Sequence, residues 1–536
     1  MGQGPRPLMH RRAFLGLPAA ALALGGCERP APIEGGFTGI NDQRGHALRG
    51  MREAPAPQAT RRTQVLIAGG GVAGLAAARA LRQRGIDDFA LLELEDGAGG
   101  NARGGQVGGI ACPLGAHYLP VPGDDAHEVQ DLLEELGLRQ RVAGRWRYDE
   151  RHLVHSPQER LFFQGGWQDG LLPVEGVDES TLAQYRRFAT RVAALAQASR
   201  FSIPAARAPF TTELAALDAQ TADAWLRAEG LNDPHLRWYL DYSCRDDYGA
   251  GLARVSAWAC IHYFASRHGF HAPGEPGERA DGSDGGTLTW PEGNGWLTQR
   301  LAAPLGERLL TGHSVLRITE ERHGVAVDVL RHADGTVTRW QATQCIVALP
   351  VFIAARVVQN PPALLAETAR RTTYAPWLVA NMHISAPLQD HPGAAPAWDN
   401  VVYGEAGGGL GYVDARHQSL DPTPRATVLT YYRALGDQPD ARQQLLAQPW
   451  THWRDATLAA LAVPHPDLPQ RLTRMDITRY GHAMATPVPG AQQHLRGLDA
   501  GGQVHSGRLH FAHADWSGYS IFEEAFTRGH VAGLSV

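Results

Sequence analysis

Hydrophobic patterning is sharpest between residues 64 and 101. Residues 65–68 are a continuous apolar run with the length of a buried strand, and Gly69-Gly70-Gly71-Val72-Ala73-Gly74 follows. An Ala/Leu-rich stretch with helical spacing reaches Arg84, and a second apolar run, 89–92, ends at Glu93. The pattern predicts strand, glycine turn, helix and strand, and each special residue has a physical task. Gly69 permits the tight turn, and Gly71 lets a pyrophosphate approach the backbone where Val72 and Ala73 open the helix. Gly74 lets helix and strand pack closely, and Glu93 is placed to accept hydrogen bonds from a ribose. By itself this fingerprint says that a dinucleotide binds.

Further along, helical spacing recurs at 124–138, 179–199, 216–230 (opening at Asp218) and 236–266, the last interrupted at 246–251. A Gly/Asp-rich loop, 271–286, ends this helical insertion. Three short strands follow, 314–319, 325–331 and 336–342, with an Asp334-Gly335 hairpin turn; an apolar run at 345–349 closes at Pro350. From 377 to 432 the pattern alternates as a second sheet does. Gly407-Gly408-Gly409-Leu410-Gly411 has no buried strand before it and no amphipathic helix after it, so it reads as a hairpin loop. A strand at 509–512 and a helix over 518–533 end the chain.

The fold class expected is α/β: a Rossmann-type dinucleotide-binding domain interleaved with an α+β substrate domain, the helical insertion plus the second sheet. Its segments are a signal (1–26), a flexible linker (27–62), cofactor-binding parts at 63–150, 286–350 and 476–536, a helical cap (151–285) and a substrate sheet (351–475).

Charge and composition refine this in three places. A net charge of −5 leaves no electrostatic footprint for nucleic acid. The chain contains no lysine, so a Schiff base, a lysine general base or a lysine-held water is excluded. Arg11-Arg12 followed by an apolar run to Leu24 is a twin-arginine pattern, and Leu24-Gly25-Gly26-Cys27 resembles a lipobox. The expectation is export by the twin-arginine machinery and a periplasmic-side membrane anchor through lipidated Cys27, with the polar stretch 28–62 as a tether. None of the five cysteines shows zinc-ligand spacing, and no metal site is expected. His262, in an apolar helical stretch, reads as a satisfied core residue.

From residue 63 to its end the chain resembles the flavin-containing amine oxidase superfamily, which includes amine oxidases, protoporphyrinogen oxidases and carotenoid desaturases. The resemblance rests on the glycine fingerprint continued by Gly99-Gly100-Asn101, on Gly115-Ala116-His117-Tyr118, on 291–297 with the three-stranded meander through Pro350, and on His513–Tyr519 with the closing helix. It implies non-covalent FAD, with Gly99, Gly100 and Asn101 beside the cofactor and Gly115, Ala116 and His117 passing the flavin ring. Val315 matches the position that contacts adenine. Asp515 is expected at a ribityl hydroxyl, Ser517 in the same flavin segment, and the helix N-terminus at Phe522 at the flavin's pyrimidine edge.

For catalysis, Tyr519 matches one ring of the amine cage, while an ungapped match puts Ala483 at the other and His482 where some relatives attach flavin. Asp246 and Asp247 offer carboxylates to a cationic amine from the insertion that would roof the cavity. The expectation is hydride transfer from a small organic substrate, an amine or polyamine favoured, to flavin N5 and on to an electron acceptor the sequence does not name. A desaturase of an apolar isoprenoid or lipid-like substrate and a non-catalytic FAD-binding protein are the alternatives.

Overall fold

The computed structural model describes residues 32–50, 55–274, 286–405, 407–419, 421, 423, 425–498 and 504–536. Cys27 and the twin-arginine segment lie outside them. The stretch expected as a tether is folded where it is described: β1 (Glu34–Thr38) and α1 (Asp42–Gly50) lie on the body of the protein. Its lack of apolar periodicity misled because these elements are held by backbone pairing and polar side chains rather than by a buried apolar face.

The fingerprint unit forms as its pattern predicts. β2 (Ala59–Ala68) leads through the glycine turn into α2 (Val72–Gln83) and on to β3 (Phe89–Leu92), which pairs in parallel with β2. The sheet they nucleate runs in the order Leu309–Leu310, β3, β2, Val337–Val347, Gly324–Arg331, His313–Glu321, and Leu509–Phe511 also pairs with Val337–Val347. Three distant parts of the sequence therefore build one cofactor-type domain. Residues 65–68 and 89–92 are buried on both faces, as the continuous apolar runs require. The closing helix, Phe522–Ser535, packs against α2 so closely that a Cβ at Gly529 would sit 1.9 Å from the Ala73 carbonyl oxygen.

A second eight-stranded sheet runs β1, Leu472–Thr486, Thr373–Ile384, Thr427–Ala434, Gly409–Asp414, Asp399–Val402, Glu159–Phe163, Gly166–Asp169. Gly407 and Gly408 lie in the turn between the antiparallel strands Asp399–Val402 and Gly409–Asp414, and Gly409 and Gly411 belong to the start of the second strand, a hairpin as expected. The helical insertion contains Glu179–Ala198, Thr212–Asp218, Ala222–Ala228, Pro234–Tyr248 and Ala257–Ala265 around its own apolar core.

Two boundaries differ from the sequence expectation. The stretch 216–230 is two short helices: Asp218 ends the first, and its carboxylate accepts the Gln493 backbone N–H. Helix Pro234–Tyr248 does not break at Asp246. Asp233 caps its start and Gly249, at φ 74°, ends it, so Asp246 and Asp247 occupy the last helical turn rather than a loop. His262 is a core residue, its Nε2 3.0 Å from the Ser202 carbonyl and its ring against Trp258.

Candidate active site

One cavity of about 500 Å³ runs from the glycine turn, between the two sheets, to the underside of the helical insertion. Its first end is built by the fingerprint. Gly69, Gly71, Val72 and Ala73 line it, and α2 begins at Gly71 with no side chain capping its free N–H groups. Gly74 does not face the cavity; a Cβ there would meet the Gly69 oxygen at 1.9 Å, so it performs the close packing expected of it. Gly99, Gly100 and Asn101 form the opposite wall, and a Cβ on Gly71 would meet only the Gly100 Cα, at 3.9 Å. That gap between two glycine backbones at a helix N-terminus is a cradle for a pyrophosphate.

Beside it, the Glu93 carboxylate accepts the Gly70 N–H at 2.9 Å and the Glu95 N–H at 2.8 Å. Burial raises its pKa despite these bonds, which pull the other way. Removing the side chain in Glu93→Ala strands both amides and deletes the ribose acceptor. The expected cost is about 1–3 kcal/mol of stability per stranded amide, with FAD affinity at least about tenfold weaker; thermal melts and flavin titration of the apoprotein check both. Val315 and His313 continue the wall at the adenosine end.

Asp515, Phe522 and His482 line the middle. The Asp515 carboxylate accepts the Val351 N–H at 2.9 Å and the Tyr374 hydroxyl at 2.5 Å, and lies 3.0 Å from His513 Nδ1. Burial would raise its pKa, but His513 and these hydrogen bonds hold it below the usual range. A carboxylate has about four acceptor positions, so one remains for a ligand hydroxyl, as the ribityl expectation requires. His482 stacks on Phe352 at 4.3 Å; burial, then the charges of Arg442, Arg49 and His46, push its pKa down to about 4. It stands by Asp515, away from the acidic end. Phe522 opens the closing helix, whose first turn meets the cavity without a side-chain cap.

The third region is aromatic and acidic. Gly115, Ala116 and His117 line it, with Tyr118, Trp377 and Tyr432. His117 stacks on Tyr432 at 4.3 Å, and burial pushes its pKa down to about 3, leaving a neutral ring. The Tyr118 hydroxyl donates to Asp246 at 2.8 Å. Burial, and then the neighbouring Asp247, raise the pKa of Asp246 to about 6. Asp247 faces the Arg267 guanidinium, with one nitrogen 3.0 and 3.2 Å from its two oxygens.

Two expected site residues are elsewhere. Tyr519 is fully buried in the insertion core, packed against Tyr248, Trp258 and His262, with its hydroxyl donating to Glu524. Ser517 donates to Glu524 and accepts from Arg528, and does not reach the cavity wall. The cause is local: after the turn Ala514–Ser517, Gly518 takes φ 81° and reverses the chain, so the next side chain enters the insertion instead of the cavity. The rings that do line the cavity at this end are Trp377 and Tyr432 on the second sheet, with Tyr118. Sequence reasoning also missed Arg267, whose neighbours carry no signal.

The family description "Flavin containing amine oxidoreductase" matches residues 72–532. The chain belongs to this family. Among curated proteins, an L-amino acid dehydrogenase from Synechocystis is 24% identical over 406 residues, covering 70% of this chain and 74% of that protein. Among solved structures, putrescine oxidase bound to putrescine is similar with a TM-score of 0.65 and 18% identity, covering 89% of this chain and 99% of the other. Cyclohexylamine oxidase from Brevibacterium oxydans aligns with a TM-score of 0.62 and 19% identity over 88% of this chain and 98% of its own. The protein is an FAD-dependent oxidoreductase, and the glycine cradle, Glu93, Val315 and Asp515 are the groups that fit FAD.

Proposed function

We propose that the enzyme oxidises an amine that reaches it as a cation. The observation that carries this reading is Asp246: its carboxylate lines the aromatic end of the cavity, and its hydrogen-bond partner there is a neutral tyrosine hydroxyl. The guanidinium of Arg267 also lines the cavity, but it is engaged by Asp247 and by the Tyr263 carbonyl. Asp247 and Arg267 largely balance each other, while Asp246, held by the tyrosine hydroxyl, offers its carboxylate to an ammonium group; Glu523 also lines the cavity, but burial raises its pKa to about 7, above that of Asp246. Glu159 and Asp399 face each other on neighbouring strands; burial first, and then neighbouring carboxylates, raise both pKa values, Glu159 to about 7, so these two hold their protons more tightly than Asp246 does.

Bound FAD supplies a hydride acceptor. The chain supplies the rest: Asp246 orients the ammonium, while Tyr118, Trp377 and Tyr432 shape the slot and keep water out, so that the substrate C–H is held in reach of the flavin. An amino acid is the second reading, favoured by the name of the Synechocystis relative and by Arg267 in the wall. It requires Asp247 to release that guanidinium to the substrate carboxylate. An acidic wall disfavours the isoprenoid or lipid-like substrate, and an open cavity disfavours a purely structural flavoprotein.

Anaerobic mixing with cyclohexylamine, putrescine and a panel of L-amino acids tests the assignment by loss of the oxidised flavin absorbance. Bleaching by simple amines is expected. Bleaching by amino acids alone would overturn the amine reading. Export through the Arg11-Arg12 signal, with Cys27 as a lipid anchor, is proposed for the same enzyme on the sequence pattern; fractionation of cells expressing wild type and Cys27→Ser tests it.

A further inference from the structure

The cavity has a wall that the fingerprint does not supply. Gly45 and Leu48, both on α1, line it together with Glu93, Leu94, Glu95 and Val315. This helix therefore covers the adenosine end of the FAD site. We propose that residues 34–50 form a clasp that closes over FAD after it is seated, so that the cofactor leaves only when α1 detaches. The proposal rests on the FAD assignment and concerns how that cofactor is retained.

The clasp has a firm root and a loose tip. At the root, β1 pairs in parallel with Leu472–Thr486 in a continuous register from Glu34↔Arg474 to Thr38↔Thr478. Arg479 lies 3.7 Å over the Phe37 ring, and Arg103 donates to the Gly39 carbonyl. At the tip, α1 is held to the residues just after the ribose acid. The Glu95 carboxylate accepts the Asn41 N–H at 3.0 Å, and Arg44 donates to the Leu94 carbonyl at 2.9 Å and to Asp96 at 2.7 Å. From the other side, Arg356 donates to the Leu48 carbonyl at 2.8 Å.

Leu48 is the buried apolar side chain of α1, in a small cluster with Leu316 and Val337. A nine-residue helix with one apolar anchor has little stability of its own, and its polar contacts are readily exchanged for water. It opens at lower free energy than the sheets beneath it. A long dinucleotide must be laid into the groove before such a cover can close, which orders the events: cofactor first, clasp second. Arg44 holds the Leu94 carbonyl and Asn41 holds the Glu95 side chain, and the Glu95 N–H in turn donates to Glu93, so closing α1 also steadies the ribose acid. Ordering of α1 and retention of FAD are thus one coupled equilibrium.

The test uses the full-length holoprotein. FAD release into a large excess of a flavin-scavenging apoprotein is followed by fluorescence for wild type, Arg44→Ala and Arg44→Lys. Arg44→Ala is expected to release FAD at least about tenfold faster, the scale of one charge-assisted hydrogen bond, and Arg44→Lys to restore part of the difference. Because Asp96 is 82% exposed, raising salt is expected to speed release from wild type and to affect Arg44→Ala less. Hydrogen exchange provides a second readout: amides of 41–48 should be protected with FAD bound and exchange faster in the apoprotein. Equal release rates for wild type and Arg44→Ala, or equal protection of 41–48 with and without FAD, would overturn the clasp. An apoprotein that takes up no FAD at all would instead overturn the cofactor assignment.

Discussion

Gly71→Val is expected to give a folded protein that purifies without its yellow colour. At Gly71 the backbone has φ −72° and ψ −176°, ordinary extended geometry that valine adopts without strain. A Cβ there would touch nothing nearer than the Gly100 Cα, at 3.9 Å. Nothing in the protein itself therefore demands glycine at this position. The demand comes from what occupies the cradle: the added methyl groups fill the space where a pyrophosphate meets the free N–H groups of α2. Each hydrogen bond to a charged group is worth about 1.5–3 kcal/mol, so losing two lowers FAD affinity by about 100-fold or more. Flavin titration of the apoprotein measures the loss, and a melting temperature close to that of wild-type apoprotein shows that the fold is intact. Gly74→Val is the contrast. Its Cβ would collide with the Gly69 oxygen at 1.9 Å, so that variant should lose the fold along with the flavin.

Asp246→Asn is expected to move activity and stability in opposite directions. The wild-type carboxyl, raised to about 6 by burial and then by Asp247, ionises as the pH rises through that value. Capture of an ammonium substrate needs the ionised form, so kcat/KM should climb through pH 6. The substituted amide would keep the shape and still accept from Tyr118, but lack the charge. For a cationic amine kcat/KM should fall by at least about 100-fold, in the range of a lost buried charge pair, and the rise through pH 6 should disappear.

Stability follows from the same shift. Between the usual aspartate value near 4 and about 6, the folded protein keeps a proton that the unfolded chain has released, so this group's contribution to stability falls as pH rises through the window. The amide cannot ionise, and the variant should melt higher than wild type above pH 6 and no higher below pH 4. A variant that keeps full kcat/KM on amines at pH 8 would remove Asp246 from substrate recognition.

Gly71 and Asp246 differ in how far the sequence reveals them. Gly71 is legible from local pattern, because a phosphate-binding turn needs only consecutive residues: strand, glycines, helix and an acid at the end of the next strand. Val315, Asp515 and Phe522 lie far apart in sequence yet reach the cavity because the resemblance fixes their order along the chain. The same resemblance points to Tyr519, which the left-handed turn at Gly518 sends into the insertion, and to Ser517, whose hydroxyl is engaged by Glu524 and Arg528; neither faces the site. Asp246 and Asp247 read in the sequence as a pair of carboxylates. What separates them is Arg267, twenty residues on, which neutralises one and leaves the other free. No spacing rule carries that information. The clasp is hidden for a similar reason: residues 34–50 have no apolar period, and their partners, Glu95, Asp96, Arg356 and Leu472–Thr486, are distant in sequence.

The sequence by itself determined the dinucleotide turn, the segmented cofactor domain and the absence of any lysine to take part in catalysis, because each depends on neighbouring residues or on composition alone. Only the tertiary structure decided which rings line the substrate end, which carboxylate keeps its charge and what closes over the cofactor. Those outcomes depend on ion pairs and chain reversals that bring together residues far apart in the chain, and electrostatic balance in a cavity exists only once its walls have been assembled.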